Sequence, residues 1–118
     1  MEQLNQARCV PCEGGVPPAD SAEIDDYLAQ VPGWKVTEVS GIPRISRRFV
    51  FDNFVHALAF TNRVGELAEL EGHHPALLTE WGKVTVSWWT HAIGGLHKND
   101  FIMAARTDEA FQTAKGVK

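Results

Sequence analysis

Residues 52–72, DNFVHALAFTNRVGELAELEG, place Ala57, Phe60, Val64, Leu67 and Ala68 at helical spacing. Such a stripe makes a helix with one apolar face, and that face has to be buried against a second layer. Asp52 stands where an N-cap is wanted. Gly72 stands where a left-handed C-terminal cap is wanted. Pro75 then biases His74 towards extended geometry. Whatever follows the helix therefore leaves it abruptly, through Gly72-His73-His74-Pro75.

The flanking segments supply the second layer. WKVTEV and RISRRFVF alternate around a turn at Ser40–Pro43, and Ile45, Arg47 and Phe49 oppose Ser46, Arg48 and Val50. This reads as a hairpin. ALLTEW and VTVSWWTH, joined by Trp81-Gly82-Lys83, read as a second hairpin. In its latter strand Val84, Val86 and Trp88 point one way, and Thr85, Ser87, Trp89 and His91 the other. An earlier helix is predicted over DSAEIDDYLAQ, capped by Asp20 or Ser21 and stopped by Pro32-Gly33. A last helix is predicted after Asn99, with Asn99 as its cap and Phe101, Ile102, Ala105 and Phe111 on its apolar face. The order α-β-β-α-β-β-α gives an α+β fold: a two-layer domain, with a four-stranded antiparallel sheet and helices packed on one face. The bare sheet face then calls for a second subunit or a ligand.

A chain of 118 residues, 44% hydrophobic, supports one core. Residues 1–19 read as an irregular segment and 20–118 as a single domain. The net charge of -4 and the scattered Lys and Arg argue against a nucleic-acid partner. No apolar run is long enough to span a membrane, and the N-terminus lacks a signal-peptide pattern. The cytoplasm is the expected location. Cys9 and Cys12 form one Cys-x-x-Cys. It reads as loop thiols with little role, as half of a zinc site completed elsewhere, or as a redox pair.

His73, His74 and His91 come from two regions that the second hairpin brings opposite or diagonal to each other. Three histidines can hold zinc, but neighbours in an extended chain point apart, and no His-x-His or His-Glu-x-x-His spacing is present. They can also accept backbone bonds near the helix end. As a third reading, they can move protons, since imidazole gives and takes a proton near neutral pH. Glu69, Glu71, Glu80 and Asp100 are near enough in sequence to orient them. His56 and His97 are expected to face water or to satisfy a local cap.

Glu69, His73, His74, Pro75, Trp81, His91 and Asp100 fall in the register of one multi-part pattern. With PGW, the helix FVFDNFVHALAFTNRVGELAELEGHHP, the stretch VTVSWWTHAIGGLHKNDFIMAARTDE and the N-terminal CVPCEGGVPP, this pattern resembles the pterin-4a-carbinolamine dehydratases, in their bacterial branch. The resemblance runs from about residue 9 to 111.

The resemblance implies loss of water from a 4a-hydroxytetrahydropterin to give the quinonoid dihydropterin, in the recycling of tetrahydrobiopterin for aromatic amino-acid hydroxylation. It implies no metal and no organic cofactor. His73 and His91 would be the acid/base pair, and His74 would bind and orient the pterin. Glu69 and Asp100 would support the site, Asp100 also standing where it could simply cap the last helix. Trp81 and Trp89 are candidates for contact with the ring, although the family often has a smaller polar residue at position 89. The implied assembly is a homodimer or homotetramer, with a functional link to an aromatic amino-acid hydroxylase. Relatives in animals also bind a homeodomain transcription factor, so a regulatory binding protein is the rival reading.

Overall fold

The computed structural model describes residues 4–6 and 17–117. Cys9 and Cys12 lie outside the described residues. The elements are α1 (Ser21–Gln30), β1 (Lys35–Val39), β2 (Ile42–Val50), α2 (Phe54–Glu71), β3 (Ala76–Glu80), β4 (Lys83–Trp88) and α3 (Lys98–Gln112). The four strands form one antiparallel sheet in the order β1-β2-β4-β3. This is the expected α+β order. Within the N-terminal segment, Leu4–Gln6 form a 3-10 turn whose Leu4 is buried.

One face of the sheet builds the core. Ile45 and Phe49 of β2 and Val84, Val86 and Trp88 of β4 are buried, together with Phe60 and Val64 of α2 and Phe101 and Ile102 of α3. Phe49 and Phe60 meet at 4.9 Å between ring centres, and Phe49 and Phe111 at 4.8 Å. Full burial of each such side chain stabilises the fold by about 1.5–3 kcal/mol. At the rim Asp108 of α3 accepts the Trp34 indole N–H at 2.8 Å and an Arg47 N–H at 2.7 Å. Burial pushes the Asp108 carboxyl above its ordinary value, against the opposing pull of Trp34 and Arg47.

The other face carries a row of hydroxyls, Thr37 to Ser46 at 3.2 Å and Ser46 to Ser87 at 2.7 Å. Val39, Val50 and Leu78 are exposed. By strand alternation and register these three lie on the face away from the helices.

Several boundaries differ from expectation; β2 begins at Ile42, so Pro43 lies in the strand and not in the turn. Helix α2 is capped by Asn53, whose side chain accepts the His56 backbone N–H, and not by Asp52. Asp52 is engaged elsewhere: its carboxylate meets the His56 ring at 2.6 Å and its N–H donates to the Gly116 carbonyl. Helix α3 is capped by His97, not Asn99; Asn99 is buried in the first turn and donates its backbone N–H to His97 Nδ1. Strand β4 stops at Trp88, because Thr90 pairs with Gly95 and closes the following loop. His91 therefore opens a 3-10 turn, His91–Ile93, instead of ending a strand.

Candidate active site

The site begins where α2 ends. Gly72 adopts φ 63°, and the His73 N–H reaches back to the Ala68 carbonyl at 3.1 Å. This is a Schellman-type stop, and it turns the two histidines off the helix axis. His73 turns inward. Its side chain is only 10% exposed and stacks parallel to the buried Trp88, at 5.8 Å and 9°. His74 stays outside, with its Nε2 against Glu69 Oε1 at 2.5 Å.

Asp100 is the hub. It sits in the first turn of α3 and is fully buried. One carboxylate oxygen meets His73 Nε2 at 2.6 Å. The other accepts the Thr90 hydroxyl and the His97 backbone N–H, each at 2.9 Å. Three donors satisfy a carboxylate that would otherwise be costly to bury. A carboxylate accepts, so the His73 Nε2 is the donor to Asp100, and Nδ1, with no hydrogen-bond partner among the described residues, is the nitrogen left to take or give a proton. The capping role considered for Asp100 is real as well: it forms a capping box with His97. The contact with His73 and the cap of α3 are one arrangement here.

Thr90 ties the second region to the first, since it bonds the same aspartate and adjoins His91 in the chain. His91 is exposed, and its ring has no hydrogen-bond partner among the described residues. It packs on Trp89 at 4.5 Å between ring centres. Arg44 from β2 covers the same indole, its guanidinium carbon 3.9 Å from the ring centre.

Of the expected residues, His73 and Asp100 are in direct contact, His74 and Glu69 pair beside them, and Trp89 and His91 meet each other. Trp81 stands apart from these contacts, 68% exposed at the turn between β3 and β4, whereas His74 precedes the opposite end of β3. The sequence pattern does not mark Thr90, Trp88 or Arg44 as neighbours of these residues. Alternation extended from Val84, Val86 and Trp88 would have put Thr90 on the buried face. No comparable signal marks Arg44.

No group of three or more His, Cys, Asp or Glu among the described residues is arranged to hold a metal ion. A cavity of about 700 Å³ lies elsewhere, lined in part by Gly33, Arg47, Asp108 and Phe111, and shares no residue with the histidine cluster. No helix among the described residues is long and apolar enough to cross a membrane.

Comparison with known proteins matches residues 17–110 to the family model "Pterin 4 alpha carbinolamine dehydratase". A Microcystis aeruginosa protein named "Putative pterin-4-alpha-carbinolamine dehydratase" is 58% identical over 112 residues, covering 95% of this chain and 97% of that one. Among solved structures, a transcriptional coactivator/pterin dehydratase from Brucella melitensis superposes with a TM-score of 0.71 at 28% identity, over 80% of this chain and 98% of the other. A pterin dehydratase-like RuBisCO assembly factor of the alpha-carboxysome shares the fold, with a TM-score of 0.58 at 23% identity, over 70% of this chain and 93% of its own. With the family model spanning most of its length and a relative of this identity along nearly all of both chains, the chain belongs to the pterin 4 alpha carbinolamine dehydratase family.

Proposed function

We propose that the protein removes water from a 4a-hydroxytetrahydropterin and releases the quinonoid dihydropterin. The observation that carries this reading is the His73–Asp100 pair: a nearly buried imidazole whose one nitrogen is fixed by a buried carboxylate. Such a pairing sets the tautomer and aims the other nitrogen, which is what proton transfer requires.

In the reaction an acid protonates the 4a-hydroxyl, the C4a–O bond breaks, and water leaves. A base takes the proton from N5, whose electron pair forms the C4a=N5 bond. His73 and His91 are the acid/base pair, and His74, backed by Glu69, binds and orients the ring. Asp100 supports His73. The pterin stabilises its own developing cation, so the residues have only to position and to move protons. No metal or organic cofactor is called for by this chemistry. Trp89 is proposed as a wall beside His91. Trp81 is proposed as a pterin contact only on the family pattern.

The product is consumed by reduction, which places the activity in tetrahydropterin recycling alongside an aromatic amino-acid hydroxylase in the cytoplasm. The bare sheet face with its exposed Val39, Val50 and Leu78 supports a homodimer or homotetramer. A regulatory binding role is the second reading, favoured by the coactivator description of the Brucella melitensis relative. Stopped-flow dehydration of a synthetic 4a-hydroxytetrahydropterin tests the first reading: no acceleration over the spontaneous reaction would rule it out. A cellular phenotype that survives loss of both His73 and His91 would favour the second.

A further inference from the structure

Arg44 lies on β2 next to Ile45, whose register partner across the sheet is Trp88. Its guanidinium rests 3.9 Å from the centre of the Trp89 indole, and that indole packs on His91 at 4.5 Å with a 40° tilt. A guanidinium is attracted to an indole face and occupies it. A flat ligand is thereby excluded from the covered face, so Trp89 does not serve there as a stacking platform. What the indole does touch is His91, whose ring nothing else among the described residues holds by a hydrogen bond.

A second observation concerns Arg44 itself. Among the described residues its Nε is buried without a hydrogen-bond partner, and this is true of no other side-chain nitrogen or oxygen in a non-exposed residue. An unpaired buried N–H is unfavourable. Among the described residues no hydrogen bond of this nitrogen accounts for the placement, whereas the stack on Trp89 does.

We infer that Arg44 is a positioning residue for the dehydration, clamping Trp89 so that the indole limits the arc swept by the His91 imidazole. The inference rests on the role proposed above for His91. A narrower arc raises the fraction of time in which the ring is aligned for proton transfer. The effect belongs in turnover and not in substrate affinity.

The test compares Arg44→Ala and Arg44→Lys with wild type in stopped-flow dehydration and in proton NMR of the histidine Cε1–H signals. His91 is assigned by the signal missing in His91→Asn. In Arg44→Ala, kcat is expected to fall about two- to fivefold with KM unchanged, the scale of one exposed cation–π contact. The His91 signal should move towards that of a free histidine as it leaves the Trp89 ring current. Arg44→Lys, which keeps a cation over the indole, should restore both. A wild-type His91 signal and kcat in Arg44→Ala, or a change in KM alone, would overturn the inference and leave the dehydratase reading standing. A wild-type protein that does not turn over the pterin would remove both.

Discussion

The His73 imidazole and the Asp100 carboxylate meet at 2.6 Å although 27 residues separate them in the chain. The Asp100 carboxylate accepts three hydrogen bonds and donates none. Asn at this position keeps the shape but turns one acceptor into a donor facing other donors. Asp100→Asn is therefore expected to lower kcat on the order of 10²-fold, through loss of the orienting bond to His73. It should also cost about 1–3 kcal/mol of stability from the mismatched buried group. Single-turnover kinetics and urea unfolding read the two effects separately.

The two adjacent histidines should separate cleanly. His73→Ala should reduce kcat by a factor on the order of 10²–10⁴, as should His91→Ala. His74 and Glu69 have side chains 59% and 78% exposed, so their pairing contributes little to stability. His74→Asn is expected to leave the urea midpoint unchanged and to act mainly on KM. A loss of kcat in His74→Asn equal to that in His73→Ala would reverse their assigned roles.

Much of this arrangement was readable beforehand, for identifiable reasons. The stop at Gly72 follows from a glycine after an apolar stripe, and the left-handed φ of 63° is what that glycine permits. The faces of β2 and β4 followed from simple alternation. The caps at Asn53 and His97 did not, because Asp52, equal to Asn53 as a cap, is engaged elsewhere, and Asn99, a better cap than His97, is buried in the first turn. The Asp52 carboxylate holds His56 and its backbone N–H donates to the Gly116 carbonyl, while Asn99 is buried. Such competition depends on residues remote in sequence. Arg44 over Trp89 is of the same kind: it depends on the β2–β4 register, which no local pattern near Arg44 states.

Gly72 offers a third measurement. Apart from its own chain neighbours and the helix backbone, no described atom lies within 4 Å of where a Cβ would stand, so substitution meets backbone strain and no clash. Gly72→Ala should cost about 1–2 kcal/mol, the ordinary penalty of a left-handed non-glycine residue. Gly72→Asn should cost less, since asparagine tolerates this region better. Chemical denaturation of the pair would show it, and equal losses would mean that something other than φ is being disturbed.

Asp108 makes a prediction about pH. Its carboxyl is raised above 3.8 in the folded protein by burial. The folded state thus holds the proton more tightly than the unfolded chain does. The stability contributed by Asp108 is fully present below the unfolded value and is lost as pH rises through the raised folded value. Asp108→Asn removes this dependence and keeps an oxygen for Trp34 and Arg47. The stability of wild type relative to Asp108→Asn should fall between acid and neutral pH, as read by urea midpoints. A difference that grows with pH would show that the ion pair with Arg47 outweighs burial.

The capping box of His97 and Asp100 carries one more consequence. An α-helix turns by roughly 100° per residue. Starting α3 one residue earlier or later would swing the Asp100 carboxylate away from both His73 and Thr90. The loop from Thr90 to His97, pinned by the Thr90–Gly95 bridge, thus acts as a phase setting for the site. Change in that loop is free to alter its composition but not the angular position at which the helix begins.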